Sequence, residues 1–82
     1  MSLSKLQPIE QYTIDIVIKL RRDRRLTQQN IAAILNTSAS FVGNVENRFN
    51  PAKYNLKHIN LLAEYFNMSP RDFLPDQPFS EF

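Results

Sequence analysis

The sequence predicts an all-α chain of five helices, and three observations carry that prediction. Apolar residues recur at helical spacing over 9–20 and again over 56–66. Thr27, Ser38, Asn55 and Ser69, all good N-cap residues, stand directly ahead of helical patterns. Only Thr13-Ile14-Asp15-Ile16-Val17-Ile18 is β-branched enough to compete as a strand, and the longer helical spacing around it favours a helix.

The first helix is expected from Pro8, a good first helical residue, to about Arg25. Its inward stripe is Ile9, Tyr12/Thr13, Ile16, Val17 and Leu20, which leaves Ile14 and Ile18 together on a separate flank. Thr27 opens a second helix through Leu35, with Ile31, Ala32 and Leu35 inward. Asn36-Thr37 makes the turn, since Asn tolerates the left-handed conformation. Ser38 caps a third helix with Val42 and Val45 on one face, and a loop runs from Arg48 to Tyr54. Asn55 caps a fourth helix that ends near Asn67, with Leu56, Ile59, Leu62, Ala63 and Phe66 on its buried side. Ser69-Pro70-Arg71-Asp72 starts a short fifth helix, where Phe73 and Leu74 close the core and Pro75 stops the helix. Residues 1–7 read as a loose lead-in, 8–75 as one domain and 76–82 as an irregular tail.

Composition narrows the chemistry. At 82 residues with 43% hydrophobic and 22% charged residues, the chain suits one small globular core. Without cysteine there are no disulfides, thiolate metal sites or thiol nucleophiles. One histidine, His58, makes no histidine metal pair, and one glycine, Gly43, makes no phosphate-cradling loop. No metal, cofactor or catalytic residue is therefore expected, and His58 is expected to pack or face water. No apolar stretch is long enough for a membrane and no export signal is visible, so the expected location is cytoplasmic.

Net charge is only +2, but residues 19–57 carry eight basic side chains against two acidic ones. The ends carry two basic against six acidic. A basic middle fits a polyanionic partner; it equally fits a solvated helix face.

The second and third helices form a tight pair of the helix-turn-helix kind, in which the second member can enter a major groove. Spacing alone does not single it out, because many small α-bundles turn such corners. The residues do. Leu20-Arg21, Leu26-Thr27-Gln28-Gln29-Asn30-Ile31-Ala32, Leu35-Asn36-Thr37-Ser38, Val42 and Val45-Glu46-Asn47 resemble the Cro/repressor-type (XRE-like) helix-turn-helix domains. Leu56, Ile59, Leu62-Ala63, Phe66-Asn67-Met68-Ser69 and Phe73-Leu74 continue the resemblance, which covers residues 17–75. It implies a compact five-helix bundle of the lambda-repressor-like DNA-binding type.

What the resemblance implies for the site is specific. Ala39, Ser40, Gly43 and Asn44 would meet base edges, while Thr27, Gln28, Asn47, Arg48 and Lys53 would meet phosphates of double-stranded DNA. Arg21 and Glu46 would form a structural ion pair. Each role has a plainer counterpart. Thr27 caps a helix in any protein, and Arg22, Arg24 and Arg25 can simply be solvated. Phe41 is expected to pack on the second helix rather than lie beside DNA. Gly43 gives either clearance for DNA or close helix packing. Arg48 stands where many relatives have glycine.

The outward row holds no arginine to grip guanine, whereas Asn44 suits adenine, Ser40 either base type and Ala39 a thymine methyl. Affinity would then rest mostly on phosphates and DNA shape. Family members act as symmetric dimers, so a homodimer is expected, with the Ile14/Ile18 flank, Tyr65, Phe79 and Phe82 as apolar candidates. The tail can equally fold back on its own domain. The reading that follows is a sequence-specific DNA-binding transcriptional regulator. The alternative is an antitoxin or protein-interaction module, with a toxin or other protein as partner.

Overall fold

The computed structural model describes residues 6–80. Most of the lead-in (1–5) and the end of the tail, including Phe82, lie outside the described residues. The chain folds as four α-helices: α1 Pro8–Asp23, α2 Gln28–Leu35, α3 Ala39–Glu46 and α4 Leu56–Phe66. The expected fifth helix is instead a single 3-10 turn, Pro70–Phe73. Four residues, Pro70 to Phe73, ahead of the extended backbone of Leu74 leave no length for an α-helical turn to propagate.

Local chemistry sets the helix starts. Thr27 Oγ1 accepts from the Asn30 N–H at 3.0 Å, and Asn30 Oδ1 accepts from the Thr27 N–H at 2.8 Å. Asn55 and His58 repeat that reciprocal arrangement at α4, with distances of 2.8 and 3.1 Å. Ser38 Oγ accepts from the Phe41 N–H at 3.1 Å to open α3. These bonds occupy donors that a helix end otherwise leaves without partners.

The ends of α1, α2 and α4 share one device. Arg25, Asn36 and Asn67 lie in the left-handed region, with φ of 57°, 58° and 57°. The next residue's N–H then reaches back five residues in each case: Leu26 to Arg21, Thr37 to Ala32, and Met68 to Ala63. This closure stops α1 at Asp23, two residues short of the expected end. An arginine fills the first of these positions, and the chain's one glycine fills none of them.

The core comprises Ile14, Val17, Ile31, Ala32, Leu35, Val42, Val45, Tyr54, Ile59, Leu62, Ala63, Phe66 and Phe73. Its arrangement corrects the expected stripe of α1. Ile14 is 1% exposed and belongs to the core, whereas Ile9 and Tyr12 are exposed. The cause is tertiary: α1 is covered by α3 and the 3-10 turn, which together bury the Thr13-Ile14-Val17 face. Thr13 Oγ1 donates to the Phe73 carbonyl at 2.9 Å within this contact. Leu56 and Leu74, both expected inside, are 82% and 40% exposed. Leu56 is the first residue of α4, and Leu74 follows the 3-10 turn in extended backbone, so neither has a neighbouring element above it. Phe79 lies edge-on to Tyr12, with ring centroids 5.9 Å apart. Among the described residues no strand forms, and no helix is long and apolar enough to cross a membrane.

Candidate nucleic-acid interface

α2 and α3 are eight residues each and are joined by Asn36-Thr37-Ser38. The buried sides of α3, Val42 and Val45, are 0% and 2% exposed, which turns the other side of the helix outward. Ser40 and Asn44 are exposed there, one helical turn apart, with Ala39 and Gly43 half-exposed beside them. The four residues expected to face bases therefore share one uncharged strip.

The single carboxylate of α3 is neutralised underneath that strip. Arg21 Nε donates to Glu46 Oε2 at 2.8 Å and Arg21 Nη2 donates to Glu46 Oε1 at 2.8 Å. Arg21 Nη1 also donates to the Leu26 carbonyl at 3.0 Å. With side chains 14% and 8% exposed, this two-pronged pair ties α1, the α1–α2 turn and the end of α3 together. Gln28 Nε2 adds a bond to Glu46 Oε1 at 3.0 Å, so the Gln28 side chain spans from α2 to α3.

That span explains the surroundings of Gly43. A β-carbon placed there would meet only Gln28 Oε1, at 3.4 Å, which is ordinary contact. Close helix packing thus does not demand a glycine at this position.

The residues expected at phosphates divide into different settings. Thr27 and Gln28 are at the start of α2, where the first-turn N–H groups of Gln28 and Gln29 have no intrahelical carbonyl to reach. Asn47 is exposed, and its Oδ1 accepts from the Phe49 N–H at 3.0 Å. Arg48 faces Asp15 of α1 across 3.6 Å, and both side chains are largely in solvent. Lys53 is held more tightly by Glu10, with Nζ 2.7 Å from Oε2. The lysine's hydrogen bond, followed by the Gln7 N–H, keeps the Glu10 carboxyl below the usual carboxylate range.

Of the other cations, Arg24 lies over the Phe66 ring at 5.2 Å and Lys19 pairs with Asp23 at 2.8 Å. Arg22 and Arg25 are exposed. A polar groove of about 520 Å³ runs between α1 and the end of α3, bordered by Asp15, Lys19, Arg22, Asp23 and Arg48.

Phe41 is half-buried. It meets Tyr54 and His58, at centroid distances of 6.1 and 5.4 Å. His58 thus packs and caps at once, and partial burial, with Lys57 a lesser cause, lowers its pKa below the ordinary 6.5. The Tyr54 hydroxyl is buried without a hydrogen-bond partner, and burial, followed by the nearby Glu46 charge, pushes its pKa up. Tyr54 and the 68%-exposed Phe49 are the two aromatic residues of this region that sequence reasoning passed over. Their loop has no periodicity that would separate the inward ring from the outward one.

Among the apolar dimer candidates, Ile14 is removed because it is buried within the monomer. Ile18 is half-buried, Tyr65 is 56% exposed beside Phe66, and Phe79 rests on Tyr12. A separate cleft of about 400 Å³ is lined by Ile9, Ile14, Tyr54, Leu56, Ile59 and Leu74. Among the described residues, no group of three or more histidines and carboxylates is placed to hold a metal ion. No protein-family model matches the chain, and no curated protein or solved structure is significantly similar to it.

Proposed function

We propose that this chain is a sequence-specific, double-stranded-DNA-binding transcriptional regulator of the Cro/repressor-like helix-turn-helix kind, working in the cytoplasm as a homodimer. The observation that carries the reading is the outward strip of α3. Its exposed members, Ser40 and Asn44, are uncharged hydrogen-bonding residues, and the one acid of the helix is held beneath by Arg21. A slim neutral strip can approach a groove floor without repelling phosphates, and Asn44 has the donor–acceptor pair that adenine matches. Free N–H groups at the start of α2 and the exposed arginines nearby supply sequence-independent attraction. In this reading the 3-10 turn takes the place of the fifth helix of such bundles.

Selection of bound sequences from a random duplex pool tests the proposal. The expected result is enrichment of a two-fold-symmetric site, with affinity that falls steeply as salt is raised. Absence of duplex binding at low salt would overturn it. A second reading, an antitoxin or protein-interaction module, draws on the apolar cleft beside Leu56. It predicts that an adjacent toxin-like protein binds and that Leu56→Lys abolishes that binding.

A further inference from the structure

The two basic residues of the α3–α4 loop that were assigned to phosphates, Arg48 and Lys53, both face carboxylates of α1, and the two contacts differ in kind. Lys53 and Glu10 are 2.7 Å apart, with Glu10 26% exposed and also accepting from the Gln7 N–H at 2.9 Å. That pair is a structural tie between the loop and the start of α1. Arg48 and Asp15 are 3.6 Å apart, beyond hydrogen-bond range, with side chains 68% and 49% exposed. Gln11 Nε2 donates to Asp15 Oδ1 at 2.9 Å and so steadies the carboxylate on α1. The guanidinium is attracted to the acid without being held by it.

We infer that Asp15 is an affinity-setting residue, a carboxylate that competes with DNA phosphate for Arg48 and so weakens non-specific binding. This rests on the DNA-binding reading. A phosphate oxygen approaching Arg48 from the polar groove meets a guanidinium already partly neutralised, and it meets the repulsion of Asp15 as well. The contact sits in solvent, so it is weak enough to be exchanged for a well-placed phosphate. A specific site that positions its backbone correctly displaces Asp15; a passing segment of random sequence does not. The same geometry separates the two loop cations: Arg48, 3.6 Å from its acid, exchanges partners more readily than Lys53, 2.7 Å from its own.

The test is fluorescence anisotropy with a random-sequence duplex at low salt, using the full chain. Asp15→Asn should tighten binding roughly two- to five-fold, the range that an exposed ion pair can yield. Asp76→Asn, which removes the same charge from the C-terminal tail, should tighten it less. In an Arg48→Ala background, which itself binds more weakly, Asp15→Asn should tighten binding no more than Asp76→Asn does, because the competition acts through the guanidinium. The thermal midpoint of Asp15→Asn should match the wild type, which separates competition from a structural tie. Unchanged affinity, equal tightening with Arg48 absent, or a lowered midpoint that explains the change overturns the inference alone. A wild-type chain that binds no duplex overturns the DNA reading and this inference with it.

Discussion

Two faces of this small bundle differ in chemical character. On α3 the outward row is Ser40 and Asn44 with Ala39 and Gly43 beside them, polar or very small. Around the starts of α1 and α4, Ile9, Leu56 and Leu74 are exposed, large and apolar, beside the Lys53–Glu10 pair. The first face can exchange hydrogen bonds with water for hydrogen bonds with base edges. The second gains only by meeting another apolar surface. In the proposed reading, the difference separates a reading surface from an assembly surface within one chain.

The largest effect is expected where the reading surface is anchored. Arg21→Ala should lower the unfolding free energy by about 3–5 kcal/mol, because Glu46 is left buried and unpaired. Urea denaturation measures this. The double replacement Arg21→Met with Glu46→Leu should recover most of the loss, since similar-sized apolar residues often serve as well as a buried pair. A single variant that costs under about 1 kcal/mol would show that the clasp does not hold α3 in place.

Next in size is the reading itself. Asn44→Ala should leave the thermal midpoint unchanged, as the side chain is exposed, yet lose about 1–3 kcal/mol of base discrimination at one position of the preferred site. A competition assay against single-base variants of that site checks it. Equal loss at every position would move Asn44 from base reading to phosphate contact.

Gly43→Ala sharpens the contrast further. Space for the β-carbon is available, so helix propensity should raise stability by up to about 1 kcal/mol. Duplex affinity should fall if base edges or phosphates come as close as the bare helix allows. A stabilised variant with unaltered affinity would show that the glycine serves neither purpose.

The smallest effect is a pH dependence that arises at α4. His58 has its pKa lowered below the ordinary 6.5, and its Nδ1 accepts the Asn55 N–H, which requires that nitrogen to be unprotonated. Between the lowered value and 6.5 the unfolded chain binds a proton that the folded chain refuses. Stability present above 6.5 is therefore lost as pH falls through that window. Thermal midpoints should decline on the acid side, and the decline should flatten in His58→Gln.

The caps were readable from sequence because a cap depends on residues three apart. Thr27, Ser38, Asn55 and Ser69 each begin an element as expected. The facing of α1 was not readable: Ile14 rather than Ile9 is inside because α3 and the 3-10 turn, far along the chain, choose which side to cover. The left-handed Arg25 was equally hidden, since an arginine carries no signal for that conformation. At the site, the outward row of α3 came from the family resemblance, and spacing supplied only its buried side, Val42 and Val45. The partners of Arg48, Lys53 and Phe41 depend on tertiary neighbours that no spacing rule supplies.

The bond from Thr13 to the Phe73 carbonyl joins residues 60 apart, so during synthesis it cannot form until Phe73 has been made. A nascent chain leaving the ribosome emits α1, α2 and α3 long before Phe73 emerges to seal them. Until then Ile14 and Val17 have no cover from that side. A message truncated ahead of codon 73 would yield a polypeptide that has α3 but lacks the 3-10 turn that covers α1, and proteases would be expected to clear it quickly.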